Sequence, residues 1–152
     1  MCNLPDSPES TLEERFSAAL HVTARVWRQG LDARLKDLGV GQAGWMTIAI
    51  VAKSPAELSQ KELADQLGVE GPTIVAMIDR LVKAGLVLRA PSATDRRVKL
   101  VRLTEAGRSL YAKVRDQALA FRSTLLSDVD QATLRTATDM LEALRARIEA
   151  DL

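Results

Sequence analysis

"SQKELADQLGVEGPTIVAMIDRLVKAG", residues Ser59 to Gly85, reads as two short helices and the turn between them. Ser59 and Glu62 have the spacing of a capping box, in which each side chain satisfies a backbone N–H left unpaired at a helix start. Gly68 ends that helix, because glycine reaches the left-handed conformation at little steric cost. A second helix is expected from about Gly71 to Ala84, with Pro72 tolerated in its first turn and Gly85 closing it. Ile74, Ile78, Leu81 and Val82 fall on one face, which is expected to be buried. Together these residues meet the steric requirements of a helix-turn-helix. Ala64 is small where a second helix must cross closely, Gly68 makes the tight turn, and Ile74 inserts into the inter-helix core. The plainer alternative is an ordinary helical hairpin in a core.

The next segment of the chain favours the helix-turn-helix. "LVLRA" (86–90) and "VKLVRL" (98–103) are short and rich in aliphatic residues, and "PSATDRR" (91–97) joins them, which predicts a β-hairpin with a long tip. The net charge of +1 conceals an uneven distribution. Residues 1–70 carry 7 Lys/Arg against 10 Asp/Glu (net −3), residues 71–115 carry 10 against 3 (net +7), and residues 116–152 carry 4 against 7 (net −3). A basic middle between acidic flanks is the distribution of a localised anion-binding face.

The rest of the chain reads as helix. Apolar residues recur at helical spacing from Thr11 to about Leu38 (Phe16, Leu20, Trp27, Leu31, Leu35), and "AGWMTIAIVAK" (43–53) is apolar nearly all round, closed by Ser54-Pro55. "AELS" (56–59) is a short strand or an extended linker. Thr104 can cap a helix from Glu105 to about Leu126, and Asp130 a last one in which Leu134, Ala137, Leu141, Leu144 and Ile148 follow the 3–4 spacing. The expected fold is mainly α with a small β-hairpin wing: a winged helix-turn-helix over 41–104, after a flexible tail (1–10) and an N-terminal dimerisation helix (11–40), and before C-terminal dimerisation helices (105–152). A winged helix is complete by about Leu103, so the apolar stripes outside it need a partner, and a second copy of the chain is expected to supply it.

Composition narrows the function. No stretch approaches the ~18 consecutive apolar residues of a membrane span, and "MCNLPDSPES" lacks the order of a signal peptide, so a cytoplasmic protein without a membrane partner is expected. The single cysteine, Cys2, agrees with a reducing compartment. His21 is the one histidine, and neither metal-ligand spacing nor a glycine-rich phosphate loop is present, so neither catalysis nor a cofactor is expected.

Double-stranded DNA is the expected partner. The second helix of a helix-turn-helix meets base edges with its amino-terminal residues, which nominates Gly71, Pro72, Thr73, Ala76 and Met77, with Arg80 and Lys83 further along and Ser59 at the start of the preceding helix. Thr73 can hydrogen-bond to a base or phosphate, and Pro72 or Ala76 can touch a thymine methyl. No Asn, Gln or early Arg stands ready for a bidentate base contact, so DNA shape is expected to supply much of the specificity. The hairpin can reach a neighbouring minor groove. Asp95, a carboxylate in a cationic loop, is assigned to orient Arg97, while Arg96 and Lys99 are phosphate contacts.

"ELADQLGVEGPTIVAMIDRLVKAGLV", the wing "DRR" and "VRLTEAGR" together resemble the MarR family of winged-helix transcriptional regulators, and "VWRQGLDARLK" with the later "GW" resembles its SlyA branch. The resemblance implies an obligate homodimer with interwoven terminal helices, a palindromic operator, and release of DNA by a small phenolic or aromatic-carboxylate effector. For such an effector Trp27 and Trp45 are candidate walls, and His21, Arg25 and Arg28 candidate carboxylate partners. Ala76 stands where SlyA-like proteins often have an arginine. Two other outcomes remain open from the sequence: an activator that displaces other DNA-bound proteins, or a winged-helix dimer that serves protein partners without specific DNA binding.

Overall fold

The computed structural model describes residues 10–152; Cys2 and nearly all of the expected tail lie outside them. Helix α1 (Leu12–Leu35) starts on a capping box that joins Thr11 and Glu14. A single 3-10 turn (Lys36–Leu38) follows and ends at Gly39, whose φ of 75° is left-handed. The α-helix thus stops three residues before the expected Leu38. Helix α2 (Gly41–Lys53) buries Gly44, Trp45, Thr47 and Ile48. Strand β1 (Leu58–Ser59) resolves the "AELS" alternative in favour of a strand.

Helix α3 (Gln60–Leu67) carries the predicted cap: Ser59 Oγ accepts from the Glu62 N–H at 3.2 Å, and Glu62 Oε2 accepts from the Ser59 N–H at 2.7 Å. Gly68 adopts φ 66°, and the Ala64 carbonyl accepts the Val69 N–H at 3.0 Å, closing the turn into helix α4 (Gly71–Lys83). Ile74, Ile78 and Leu81 are buried, with Ile74 joined by Leu63 and Ala64 of α3 in one core cluster. Val82 is not part of it: it remains 38% exposed. Residues 74, 78 and 81 already complete the stripe at 3.6-residue spacing, and Val82, four residues after Ile78, lies about 40° past its edge.

Strands β2 (Val87–Pro91) and β3 (Lys99–Leu103) form the hairpin, and β1 pairs on the other side of β3, giving the order β1-β3-β2, antiparallel throughout. Val87, Val101 and Leu58 face inward into the α2–α3–α4 core. A second cluster joins Leu35 of α1, Trp45 of α2 and Val114 of α5 (Glu105–Leu125). Helix α6 (Gln131–Asp151) begins on Asp130, which accepts the Thr133 N–H at 2.9 Å. Residues up to Ala118 make one compact unit and Leu119–Leu152 another. No helix among the described residues is long and apolar enough to cross a membrane.

Candidate nucleic-acid interface

The buried stripe of α4 dictates what its other side shows. With Ile74, Ile78 and Leu81 in the core, Gly71, Pro72, Thr73, Ala76, Arg80 and Lys83 are exposed, and Met77 is half-buried at the margin. Thr73, Ala76, Arg80 and Lys83 fall at 3–4 residue spacing, so they form one outward row. Arg80 and Lys83 occupy the last turn, where cations also complement the helix dipole. Ser59 is half-buried and holds the start of α3 in place, so its hydroxyl already accepts one hydrogen bond.

The wing tip is built by short-range hydrogen bonds. Ser92 N–H reaches the Val98 carbonyl at 3.0 Å, and Val98 N–H returns to the Asp95 carbonyl at 3.0 Å. Inside that loop the Asp95 carboxylate accepts three times from one residue: from Arg97 N–H at 3.0 Å, from its Nε at 3.2 Å and from its Nη2 at 3.3 Å. Hydrogen bonds from the Arg97 side chain, then from its backbone N–H, hold the Asp95 carboxyl below its ordinary range. The Arg97 side chain nevertheless stays 91% exposed. It is both oriented and available, which is the geometry a groove-inserting arginine requires. Arg96 and Lys99 are exposed and make no ion pair among the described residues.

Arg89 and Gly107 carry no role in the sequence reading, and Thr104 does more than cap the helix that follows it. Arg89 sits at the base of the wing, opposite Val101 on the inward face of the sheet. Its Nε donates to Gln60 Oε1 of α3 at 2.6 Å, its Nη2 to the Val75 carbonyl of α4 at 3.3 Å, and its Nη1 lies 2.7 Å from Asp79 Oδ1 of α4. One guanidinium therefore ties the wing to both helices of the motif. The period-2 alternation of β2, which places Arg89 on the same face as Val87, is the signal that reveals this. Thr104 and Gly107 fix the other end of the wing. Thr104 N–H bonds the Leu86 carbonyl at 3.1 Å, its Oγ1 donates to the Gly85 carbonyl at 2.6 Å, and the same oxygen accepts the Gly107 N–H at 3.0 Å. A Cβ on Gly107 would fall 2.0 Å from the Leu86 carbonyl oxygen, so only glycine permits this approach of α5 to the hairpin. A glycine lodged in a helix's first turn is the clue that the sequence offers.

The effector candidates divide. His21, Arg25 and Arg28 are exposed on α1 and share one face at i, i+4, i+7 spacing, while Trp27 is half-buried. Trp45 belongs to the core beside Leu35, with its indole N–H donating to Asp32 Oδ1 at 3.0 Å.

A family model described as the MarR family matches residues 38–98, which run from the end of the 3-10 turn through the tip of the wing. Among solved structures, the transcriptional regulator PA3341 is 36% identical, with 89% of this chain and 98% of that one covered at a TM-score of 0.83. A regulator assigned to the MarR family from Listeria monocytogenes, solved in complex with a 26mer DNA, shares the fold at 22% identity, a TM-score of 0.77, and coverage of 88% of this chain and 89% of that one. CouR from Rhodococcus jostii RHA1, solved bound to p-coumaroyl-CoA, shares it at 20% identity, a TM-score of 0.76, and coverage of 90% and 95%. The family match falls on the helix-turn-helix and the wing, and the likeness to PA3341 extends well beyond them on both sides. The family match and the likeness to PA3341 together place the chain in the MarR family of winged-helix, DNA-binding transcriptional regulators, a family of regulators and not of enzymes.

Proposed function

We propose that the protein is a homodimeric repressor that binds a palindromic operator in the cytoplasm and leaves it when a small aromatic or phenolic ligand binds. The observation that carries the DNA reading is Arg97, oriented by Asp95 yet 91% exposed, on the same motif as the outward row of α4. In this reading Gly71, Pro72, Thr73, Ala76 and Met77 enter a major groove, Arg97 enters the adjacent minor groove, and Ser59, Arg80, Lys83, Arg96 and Lys99 hold phosphates. The DNA-binding domain then spans 41–104, with dimerisation helices at 11–40 and 105–152.

Dimerisation is supported by apolar surface on the outer helices. Leu12, Leu20 and Val26 of α1 are 74%, 39% and 47% exposed, and Met140, Leu141 and Ile148 of α6 are 45%, 41% and 60% exposed. Helices with that much uncovered apolar area are stable when another chain covers it. A twofold dimer would also place two α4 helices for two half-sites, which is why a palindrome is expected. The Listeria complex and the CouR complex are consistent with DNA and an aromatic acyl ligand as partner classes. Arg25 and Arg28, adjacent on one face of α1, are the candidate partners of an effector's carboxylate, with His21 beside them and Trp27 or Trp45 as its apolar contact.

The test is selection of bound sequences from a pool of random duplexes, followed by fluorescence anisotropy of wild type and Arg97→Ala on the selected duplex. Enrichment of a palindrome, with loss of affinity in the variant, is the expected outcome. If nothing is enriched and Arg97→Ala changes nothing, the winged helix serves protein partners instead, a reading that the plain Ala76 on α4 would fit.

A further inference from the structure

We infer that α4 selects 5-methylpyrimidines: a C5-methyl group in the major groove, carried by thymine or by 5-methylcytosine, seats between Pro72 and Ala76. Cytosine methylation would thereby create a binding site where unmodified cytosine gives none. Recognition of this kind rests on the proposed entry of α4 into a major groove, and it names the chemical group that the helix prefers there.

The notch follows from helix geometry. Ile74 is 1% exposed and marks the core side of α4. Pro72 stands two residues before it and Ala76 two after, so each lies about 160° around the helix from Ile74 and points away from the core. Both are exposed. They are four residues apart, which sets their Cβ atoms about 5–6 Å from each other on one face. A methyl group resting between them meets both at about 4 Å, close to the separation at which carbon atoms attract most. Val75, 40% exposed on the neighbouring stretch of the helix surface, adds further apolar area.

The polar groups around the notch favour DNA without choosing the base. Residues 71–79 hold no Asn, Gln, Arg or Lys, so the turns that enter the groove first carry no bidentate donor for a base. Asp79, the one carboxylate there, is held by Arg89 at 2.7 Å. The remaining polar side chain is Thr73, whose exposed hydroxyl both donates and accepts, and so suits thymine O4 and the cytosine amino group alike. Arg80 and Lys83 follow one and two turns after Ala76, in a segment (71–115) with 10 Lys/Arg against 3 Asp/Glu, and that charge supplies the attraction to phosphates. What remains to discriminate bases is apolar contact, and the C5-methyl is the apolar group that a major groove offers. Since 5-methylcytosine carries its methyl at the same ring position as thymine, the notch receives both.

Fluorescence anisotropy of the full chain on the palindrome selected from random duplexes tests the notch. Each thymine is replaced by uracil in both half-sites, and the sensitive position is then rebuilt as cytosine and as 5-methylcytosine. Burial of one methyl group is worth about fourfold per half-site. Uracil should therefore weaken binding at least fivefold at one thymine position, and 5-methylcytosine should bind at least fivefold more tightly than cytosine there. Each pair of bases differs by the methyl alone. Both ratios should fall at least threefold in Ala76→Gly, and also in Ala76→Ser, which sets a hydroxyl against the methyl. The serine variant keeps the test decisive should the glycine variant not fold. A loss below fivefold at every thymine, a gain below fivefold from 5-methylcytosine, or ratios that persist in a folded Ala76 variant overturns the notch. A palindrome that is enriched but indifferent to the methyl sinks the notch and leaves operator binding intact, whereas no enrichment sinks both.

Discussion

Arg89 Nη1 lies 2.7 Å from Asp79 Oδ1, joining the first strand of the wing to the middle of α4. Asp79 is the one carboxylate of α4, the helix proposed to enter the major groove, and Arg89 neutralises it while also holding Gln60 and the Val75 carbonyl. The contact fixes the wing against α4, the two elements that meet DNA together in the proposed reading. Arg89→Ala should lower stability by about 1–2 kcal/mol, or roughly 3–6 °C in Tm, since the side chain is 27% exposed and makes three bonds. It should also weaken operator binding about tenfold with the slope of log affinity against log salt unchanged, because no phosphate contact is lost. A reduced slope would instead make Arg89 a phosphate ligand.

The close approach of α5 to the hairpin makes a sharper stability prediction. Gly107→Ala places a methyl group 2.0 Å from a backbone carbonyl oxygen that cannot rotate away. The expected cost is about 3 kcal/mol, at the upper end of overpacking effects, and it should appear in a urea midpoint with little change of slope. Gly71→Ala is the control: a Cβ there meets nothing within 4 Å, and its cost in the same titration should stay below about 1 kcal/mol.

These two contacts also mark where sequence reading runs out. Local patterns are legible because their causes are local. The Ser59–Glu62 box, the left-handed Gly68 and the Thr104 and Asp130 caps are each fixed by a few consecutive residues, and all are present. The Asp95–Arg97 pair is legible for the same reason, being two residues apart. Arg89–Asp79 and Gly107–Leu86 join segments that only the folded hairpin brings together. Val82 misleads because an apolar residue at a stripe's edge scores like one at its centre, although only the three central positions reach the core.

Acid should weaken the fold with a predictable sign. Glu57, Glu62 and Asp130 are all held below the ordinary carboxyl range, Glu57 by hydrogen bonds from Arg102, Glu62 by Ser59 and Asp130 by Thr133. A carboxyl with a depressed folded pKa contributes fully above its unfolded value, near 4, and loses that contribution as pH falls through the folded value. Tm should therefore drop from about pH 5 downward. Glu57→Gln/Asp130→Asn should show a shallower drop and a lower Tm at pH 7; asparagine still caps α6, so the flattening would report titration rather than helix loss. An unchanged profile would mean these pairs persist in the unfolded chain.

Leu141 and Ile148, seven residues apart on α6 and both more than 40% exposed, test the dimer. A carboxylate at such a position costs little in a free helix but is buried unpaired in a helical interface. Leu141→Glu/Ile148→Glu should shift the particle from two chains to one by light scattering at micromolar concentration, while helical circular dichroism per residue stays within about a tenth. A dimer that survives both changes would place the interface off this face.

The wing offers a prediction in which two physical effects have opposite signs. Asp95 is a negative charge beside the proposed DNA path, so electrostatics alone says that Asp95→Ala should tighten binding. The geometry says the reverse. Asp95 binds the backbone N–H, Nε and Nη2 of Arg97, and without it that exposed side chain must be ordered at the moment of contact. Freezing a long side chain costs about 1–2 kcal/mol, whereas a single exposed charge near DNA at about 0.15 M salt is heavily screened. Asp95→Ala should therefore weaken operator affinity about three- to tenfold, and Arg97→Ala more. Arg96→Ala, which breaks no ion pair among the described residues, should instead lower the salt slope by about one without changing which sequences are preferred. Fluorescence anisotropy at four salt concentrations separates the three. Tighter binding by Asp95→Ala would show that Arg97 is restrained by Asp95 in the free protein only, and that the wing acts through charge rather than through an oriented side chain.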